Sequence, residues 1–222
     1  MIKLIALITM LIDHIGVVFY PTSFGFRAIG RLSMPLFAYC VARGFYYSKQ
    51  HGTLKKYLLR MLIFSIVSQV PYHFIVKDGL NIGFTWLISL LLLRICTVKH
   101  TSESSYVIFR ITICGIICFL LYFGFLPVDY GLYGVITPLL FYMLIFTGKE
   151  NVSTYTLVLA CGWTFYVLAE HGPILQILSI FSAFILTVSI KFDKKIKLPK
   201  IVYYAFYPMH LLILLAIKHL IR

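Results

Sequence analysis

Apolar residues run almost unbroken from Ile2 to Tyr20, and the run ends in the turn formers of "YPTSFG". The same alternation recurs to the end of the chain, and at 1.5 Å per residue a run of about 20 apolar residues matches the hydrocarbon core of a bilayer. Nine spans result: 2–20, 26–47, 56–76, 82–98, 107–126, 131–147, 153–169, 173–190 and 200–221. The breaks after the first, "SKQHGT", "VKDGLN", "KHTSESS", "LPVDYG", "GKEN", "EHGP" and "KFDKKIKLPK", each carry turn formers or charge. The pattern predicts an all-α, polytopic transmembrane helical bundle of about nine spans, with eight spans and one re-entrant segment as the alternative. The loops are too short to fold separately, so residues 1–222 read as a single domain. Lys3 alone precedes the first span and no small-residue cleavage site follows it, so that span reads as a retained anchor.

Composition agrees: 61% of the 222 residues are hydrophobic and 12% charged, with a mean hydropathy of +0.94, far beyond a soluble domain. The net charge of +13 falls between apolar runs, which argues for membrane topology and against a nucleic-acid partner. Lys49, Lys55, Lys56 and Arg60, then Arg94, Lys99 and Arg110, then Lys191, Lys194, Lys195, Lys197 and Lys200 fall on one side, while the connections on the other side hold only Lys77 and, at the start of the second span, Arg27. The retention of positive charge in cytoplasmic loops then places the N-terminus inside and the C-terminus outside a cell membrane. The cysteines, Cys40, Cys96, Cys114, Cys118 and Cys161, are odd in number and lie in or beside apolar spans, which reads as packing and not as a disulfide framework or a metal site. No phosphate loop, His-Glu-x-x-His motif or internal repeat is present.

Polar residues at membrane depth carry the remaining information, because each costs about 2.5 to 3.5 kcal/mol on insertion scales unless it is paired or wet. Asp13 and His14 lie in the first span; Arg27 and Arg31 are one turn apart in the second; Gln69 lies in the third; Asn81 and Thr85 open the fourth; Asp129 precedes the sixth; His210 lies in the ninth. Neighbours on a helix point about 100° apart, so Asp13 and His14 each need a partner from another span. Pairing Asp13 with Arg31 or Arg27 leaves His14 to face a cavity. The plainer reading makes these residues structural ties between helices, and makes His210 a lone histidine capped by a backbone carbonyl. His51, His100, His171, His219 and Glu170 read as loop or helix-end residues, and "YYAFY" before Pro208 as aromatic lining of a pocket.

The blocks "KLIALITMLIDHIG", "FRAIGRLSMPLFAYCVARGF", "YLLRMLIFSIVSQVPYHF", "LNIGFTWLISLL", "DYGLYGV" and "YYAFYPMHLLIL" occur in the order seen in the TraX family, and the chain resembles that family over nearly its whole length. The family is known for acetylating the N-terminus of conjugative pilin. The resemblance implies a membrane-embedded acetyltransferase that uses acetyl-CoA, with a peptide, protein or small amine as acceptor. The Arg27, Arg31 and Pro35-Leu36-Phe37 block is also similar to the helix following the active histidine in lysosomal heparan glucosaminide acetyltransferases.

Acyl transfer from a thioester needs a base for the acceptor and donors for the oxyanion. His14 is the expected base, Asp13 the carboxylate that orients the site or holds Arg31, and Arg31 with Asn81 the substrate or oxyanion contacts. Arg27, Gln69, Asp129 and His210 complete the expected substrate-binding set. Arg43, Lys55, Lys56 and Arg60 are expected to hold the phosphates of acetyl-CoA, although the positive-inside rule alone also explains them. The competing classes are a small proton- or ion-coupled transporter, with Pro35, Pro138 and Pro208 breaking helices, and a chaperone-like subunit without chemistry. The charge count predicts that the Ser23 and Gly172 regions face outside and Lys194 the cytoplasm; labelling of Lys194→Cys from outside intact cells overturns that orientation.

Overall fold

The computed structural model describes residues 1–98, 104–191 and 199–221. Lys99, His100, Lys194, Lys195 and Lys197 lie outside the described residues. The helices are α1 (Ile2–Phe19), α2 (Phe24–Gly30), α3 (Ser33–Gln50), α4 (Leu54–Ile75), α5 (Ile82–Cys96), α6 (Ser104–Tyr122), α7 (Gly131–Thr147), α8 (Val152–Glu170), a 3₁₀ segment (Ile174–Phe181), α9 (Ser182–Lys191) and α10 (Lys200–Ile221). The described residues form a helical bundle with no β-strand, only an isolated parallel bridge between Leu80 and Val128. Among them α1, α4, α8, the Ile174–Lys191 stretch and Ile201–Ile221 are long and apolar enough to cross a membrane, and shorter apolar helices cover Ile82–Cys96, Tyr106–Tyr122 and Gly131–Thr147. The outer faces of α4 and α6 expose Ile63, Ile66, Val70, Phe74, Ile108, Phe109 and Ile111, as expected of surfaces solvated by lipid. The chain is that of a multi-pass membrane protein.

Two expected spans are not single helices. The second is divided at Arg31 and Leu32, where Leu32 N–H donates to the Ile29 carbonyl three residues back and the Ser33 hydroxyl donates to the Gly30 carbonyl at 2.7 Å. Pro35 falls in the first turn of α3, where its missing N–H costs nothing. Pro138 and Pro208, expected as helix breaks, lie inside α7 and α10. The eighth span begins as the 3₁₀ segment, with Pro173 before it.

The centre of the bundle is α3 against α7 and α1. Tyr39, Phe141 and Tyr155 pack edge to face, with ring centroids 5.7 to 6.0 Å apart, a favoured arrangement of aromatic quadrupoles. The hydroxyls of Tyr39 and Tyr155 both donate to Glu150 Oε1, at 2.9 and 2.8 Å, which ties α3 to the α7–α8 turn. Glu170, expected in a loop, is instead the last residue of α8, and its two carboxylate oxygens accept from the Leu132 and Tyr133 N–H groups at 3.0 Å. These are orphan donors at the start of α7, where a negative charge also favours the helix dipole. A Cβ at Gly131 would run into that carboxylate.

Asn81 and Gln69 join α4 to α5. Asn81 Nδ2 donates to the Ser65 carbonyl and to Gln69 Oε1, each at 2.8 Å, its Oδ1 caps Gly83 N–H, and Gln69 Nε2 donates to the Gly79 carbonyl at 3.0 Å. Asn81 is fully buried, so its replacement strands several partners. Asn81→Leu is expected to lower thermal stability in detergent micelles by about 1 to 2 kcal/mol; an unchanged melting temperature contradicts this structural role.

Candidate functional site

Two cavities lie end to end along one face of α1. The first, of about 260 Å³, is walled by Leu7, Met10, Phe37, Met61, Phe64, Trp86 and Tyr207, with Lys3, Arg60, Tyr203 and Tyr204 also lining it. The second, of about 230 Å³, is lined by Asp13, His14, Arg27, Arg31, Asp129, Tyr130 and Tyr166, with Val17, Tyr72, Ile75, Val76 and Leu211. The steps from Lys3 to Leu7, Met10, His14 and Val17 follow the three- and four-residue spacing of one helix face, so a single stripe serves both spaces. The division between them falls at one level: Met10 and Tyr207 line the apolar cavity, while His14 and Leu211, each one turn further on, line the charged one.

At that level His14 meets His210. Nδ1 of His14 is 2.9 Å from Nε2 of His210, and Nδ1 of His210 is 2.8 Å from the Phe206 carbonyl oxygen. A carbonyl oxygen only accepts, so Nδ1 of His210 carries a proton and, in the neutral ring, its Nε2 is the acceptor. The donor facing it is then Nδ1–H of His14, which leaves the lone pair of His14 on Nε2. Tyr207 closes the pair from the apolar side, with its ring centroid 5.9 Å from that of His14 and 5.6 Å from that of His210, and Phe206 stacks on His210. The sequence reading of His210 as a carbonyl-capped residue holds for one nitrogen; the other binds His14.

Of the two arginines offered to Asp13, Arg27 takes it: Nη1 lies 2.8 Å from Asp13 Oδ1. The expectation that Asp13 holds Arg31 is thereby corrected. The interruption of the helix before α3 turns the two guanidiniums to different partners, and Gly30 allows α2 close enough, since a Cβ there would overlap the Asp13 side chain. Arg31 is buried and donates from Nη1 to Gln176 Oε1 at 3.3 Å, while its Nε has no partner. Asp129, in the loop before α7, faces the same cavity. Burial, then the nearby Asp13 carboxylate, pushes Asp129 up to about 6, against the pull of Arg31 and Arg27.

Asn81 and Gln69 line neither cavity and are occupied in the α4–α5 tie. Of the four cations expected to hold acetyl-CoA, Arg60 lines the apolar cavity, Lys55 and Lys56 are exposed at the start of α4, and Arg43 sits over the Tyr47 ring. Lys3, Tyr72, Tyr130, Tyr166 and Gln176 were not foreseen as site residues. Only Lys3 carried a signal in the sequence, three- and four-residue spacing from Leu7, Met10 and His14. Among the described residues no group of three or more His, Cys, Asp or Glu is placed to hold a metal ion.

The Asp13 and Arg27 side chains are only 14% and 28% exposed, so loss of the carboxylate strands a cation at membrane depth. Asp13→Asn is expected to destabilise the protein by about 3 kcal/mol, the low end for a broken buried pair, and more than His14→Ala does. Equal thermal stability and expression of the two variants excludes a stabilising pair.

The chain is 32% identical over 156 residues to a probable fimbrial assembly protein (serogroup H1) of Dichelobacter nodosus, covering 62% of this chain and 59% of that protein. It is 29% identical over 133 residues to an uncharacterized protein of Rickettsia prowazekii (strain Madrid E), covering 59% of this chain and 49% of that one. The matched region is thus about half the length of these relatives. No solved structure matches. Residues 1–218 match the family described as TraX protein, and the chain belongs to the TraX family.

Proposed function

We propose that the protein is a membrane-embedded acetyltransferase that moves an acetyl group from cytoplasmic acetyl-CoA to an amine or hydroxyl held in the charged cavity. The observation that carries this reading is the His14–His210 pair at the junction of the two cavities, with the free lone pair on His14 Nε2. In a neutral imidazole held this way, one nitrogen is fixed by its partner and the other is a base, which is the arrangement a general base requires.

The apolar cavity suits the pantetheine arm of the donor, which is long, thin and largely apolar. Lys3 and Arg60 at its lining are the cations for the phosphates, with Lys55 and Lys56 nearer the start of α4 and Arg43 on α3. With the N-terminus on the cytoplasmic side, the orientation that the charge count favours, this cavity opens inward and the charged one outward. The acceptor then attacks the thioester carbonyl while His14 Nε2 takes its proton. The carbon–sulfur bond breaks, and the thiolate leaves with the proton from His14, giving the acetylated acceptor and free coenzyme A. His210 stabilises the imidazolium by accepting from its Nδ1–H. Arg31, a buried cation with an unpartnered Nε, is the group for the developing oxyanion.

The fimbrial assembly name carried by the Dichelobacter nodosus relative makes a pilin-like peptide a natural acceptor to try first. Purified protein is expected to consume acetyl-CoA in its presence. His14→Ala is expected to fold, bind coenzyme A and lose transfer by about 100-fold or more; His210→Ala, which removes the partner that orients His14, is expected to lose at least about 10-fold. Full activity of His14→Ala refutes the assignment of the base. Absence of acetyl-CoA turnover in the unmodified protein, together with proton-coupled flux in vesicles, favours a carrier instead.

A further inference from the structure

The charged cavity holds two carboxylates and two guanidiniums, and only Asp13 and Arg27 form an ion pair there. Asp129 makes no ion pair among the described residues, yet it faces the same space as His14 and Arg31. Its delivery into that space is built into the backbone. The Asp129 N–H donates to the Leu80 carbonyl at 3.0 Å and its carbonyl accepts from the Thr85 hydroxyl at 2.8 Å, so the main chain is pinned to the start of α5 on both sides. The next residue, Tyr130, is a non-glycine residue in the left-handed region, with φ at 61°, and Gly131 follows with φ at 51°. A strained turn of this kind persists only where its surroundings over-determine it, and such turns cluster at ligand sites. The carboxylate also accepts from the Tyr130 N–H within the turn, and its remaining lone pairs are left for the cavity.

We propose that Asp129 receives the acceptor as an ammonium ion and thereby selects an amine over a hydroxyl. This inference rests on the acyl-transfer reading above and names its acceptor class. An alcohol has one proton to lose, and His14 is enough to take it. An amine arrives near neutral pH as R–NH3⁺ and must lose two. Asp129 takes the first, freeing the nitrogen lone pair; the nitrogen then bonds to the thioester carbonyl carbon as His14 Nε2 takes the second. That second proton leaves with the thiolate, while the first returns to the outer aqueous phase from Asp129. The products are the amide, coenzyme A and one proton, which balances the reaction. The burial that pushes Asp129 upward from the ordinary carboxylate range narrows its gap to an ammonium ion. Asp13 is a poorer candidate, since its Oδ1 is engaged by Arg27 and its side chain is packed against Gly30.

The test uses the full chain in nanodiscs with acetyl-CoA and two small acceptors, triglycine and glycolyl-diglycine, in which the amine is replaced by a hydroxyl. The unmodified protein is expected to favour triglycine in kcat/KM, and Asp129→Asn, which keeps the side-chain shape, is expected to cut that preference about 30-fold, in the range of a lost charge-assisted hydrogen bond. A preference unchanged by Asp129→Asn overturns the proposal, and means that the carboxylate only balances Arg31 across the cavity. Binding of triglycine against N-acetyl-triglycine, read by saturation-transfer NMR, gives an answer independent of turnover. If no acetyl-CoA is consumed, the acyl-transfer reading fails, but loss of triglycine binding in Asp129→Asn still upholds an ammonium site, and equal binding in both proteins overturns it.

Discussion

A polar group at the middle of a bilayer has no water to turn to, so its stability depends on the partner that the fold brings to it. In this protein that constraint organises the bundle around α1. Asp13 requires a cation, and the nearest chain to supply one is α2, which approaches because Gly16 and Gly30 leave room for Phe26 and for Asp13 itself. His14 requires a partner too, and it comes from the far end of the chain, on α10. The two adjacent residues thus draw together helices almost 200 positions apart in sequence.

The same economy explains why the second span is broken. A continuous helix would carry Arg27 and Arg31 on one face, one turn apart, and both would point at Asp13. The tight turn through Arg31 and Leu32 redirects the chain into α3, leaving Arg27 on the carboxylate and Arg31 against Gln176 of the 3₁₀ segment. One arginine is neutralised and the other keeps its charge beside the cavity. Glu170 and Glu150 are used in the opposite way. Glu170 caps a helix start, and Glu150 accepts two tyrosine hydroxyls, so both tie elements together away from the histidines.

Placing two cavities end to end, with the histidine pair and Tyr207 at their junction, separates two kinds of environment by a single side-chain layer. One side is aromatic and apolar with cations at its lining; the other holds four charges of balanced sign. The acyl transfer proposed above would use that separation, because an apolar thioester arm and an ammonium ion favour different solvent environments.

The helical membrane class was legible from hydropathy alone, because the length of each apolar run and the turn formers between runs are local properties of the chain. So was the cost of placing Asp13, His14, Arg27, Arg31, Asp129 and His210 at or beside membrane depth, because that cost does not depend on which helices are neighbours. Their partners were not legible. Whether Asp13 meets Arg27 or Arg31, and whether His210 is a capped bystander or the residue bonded to His14, depends on helix rotation and on the break at Leu32, which no local pattern announces. Asn81 and Gln69 looked like site residues for the same reason, and only packing shows that they are spent on each other and on the Ser65 and Gly79 carbonyls. Hydropathy specifies how much of the chain must enter the membrane; the contacts between helices decide which of its costly polar groups hold the bundle together and which are left facing a cavity.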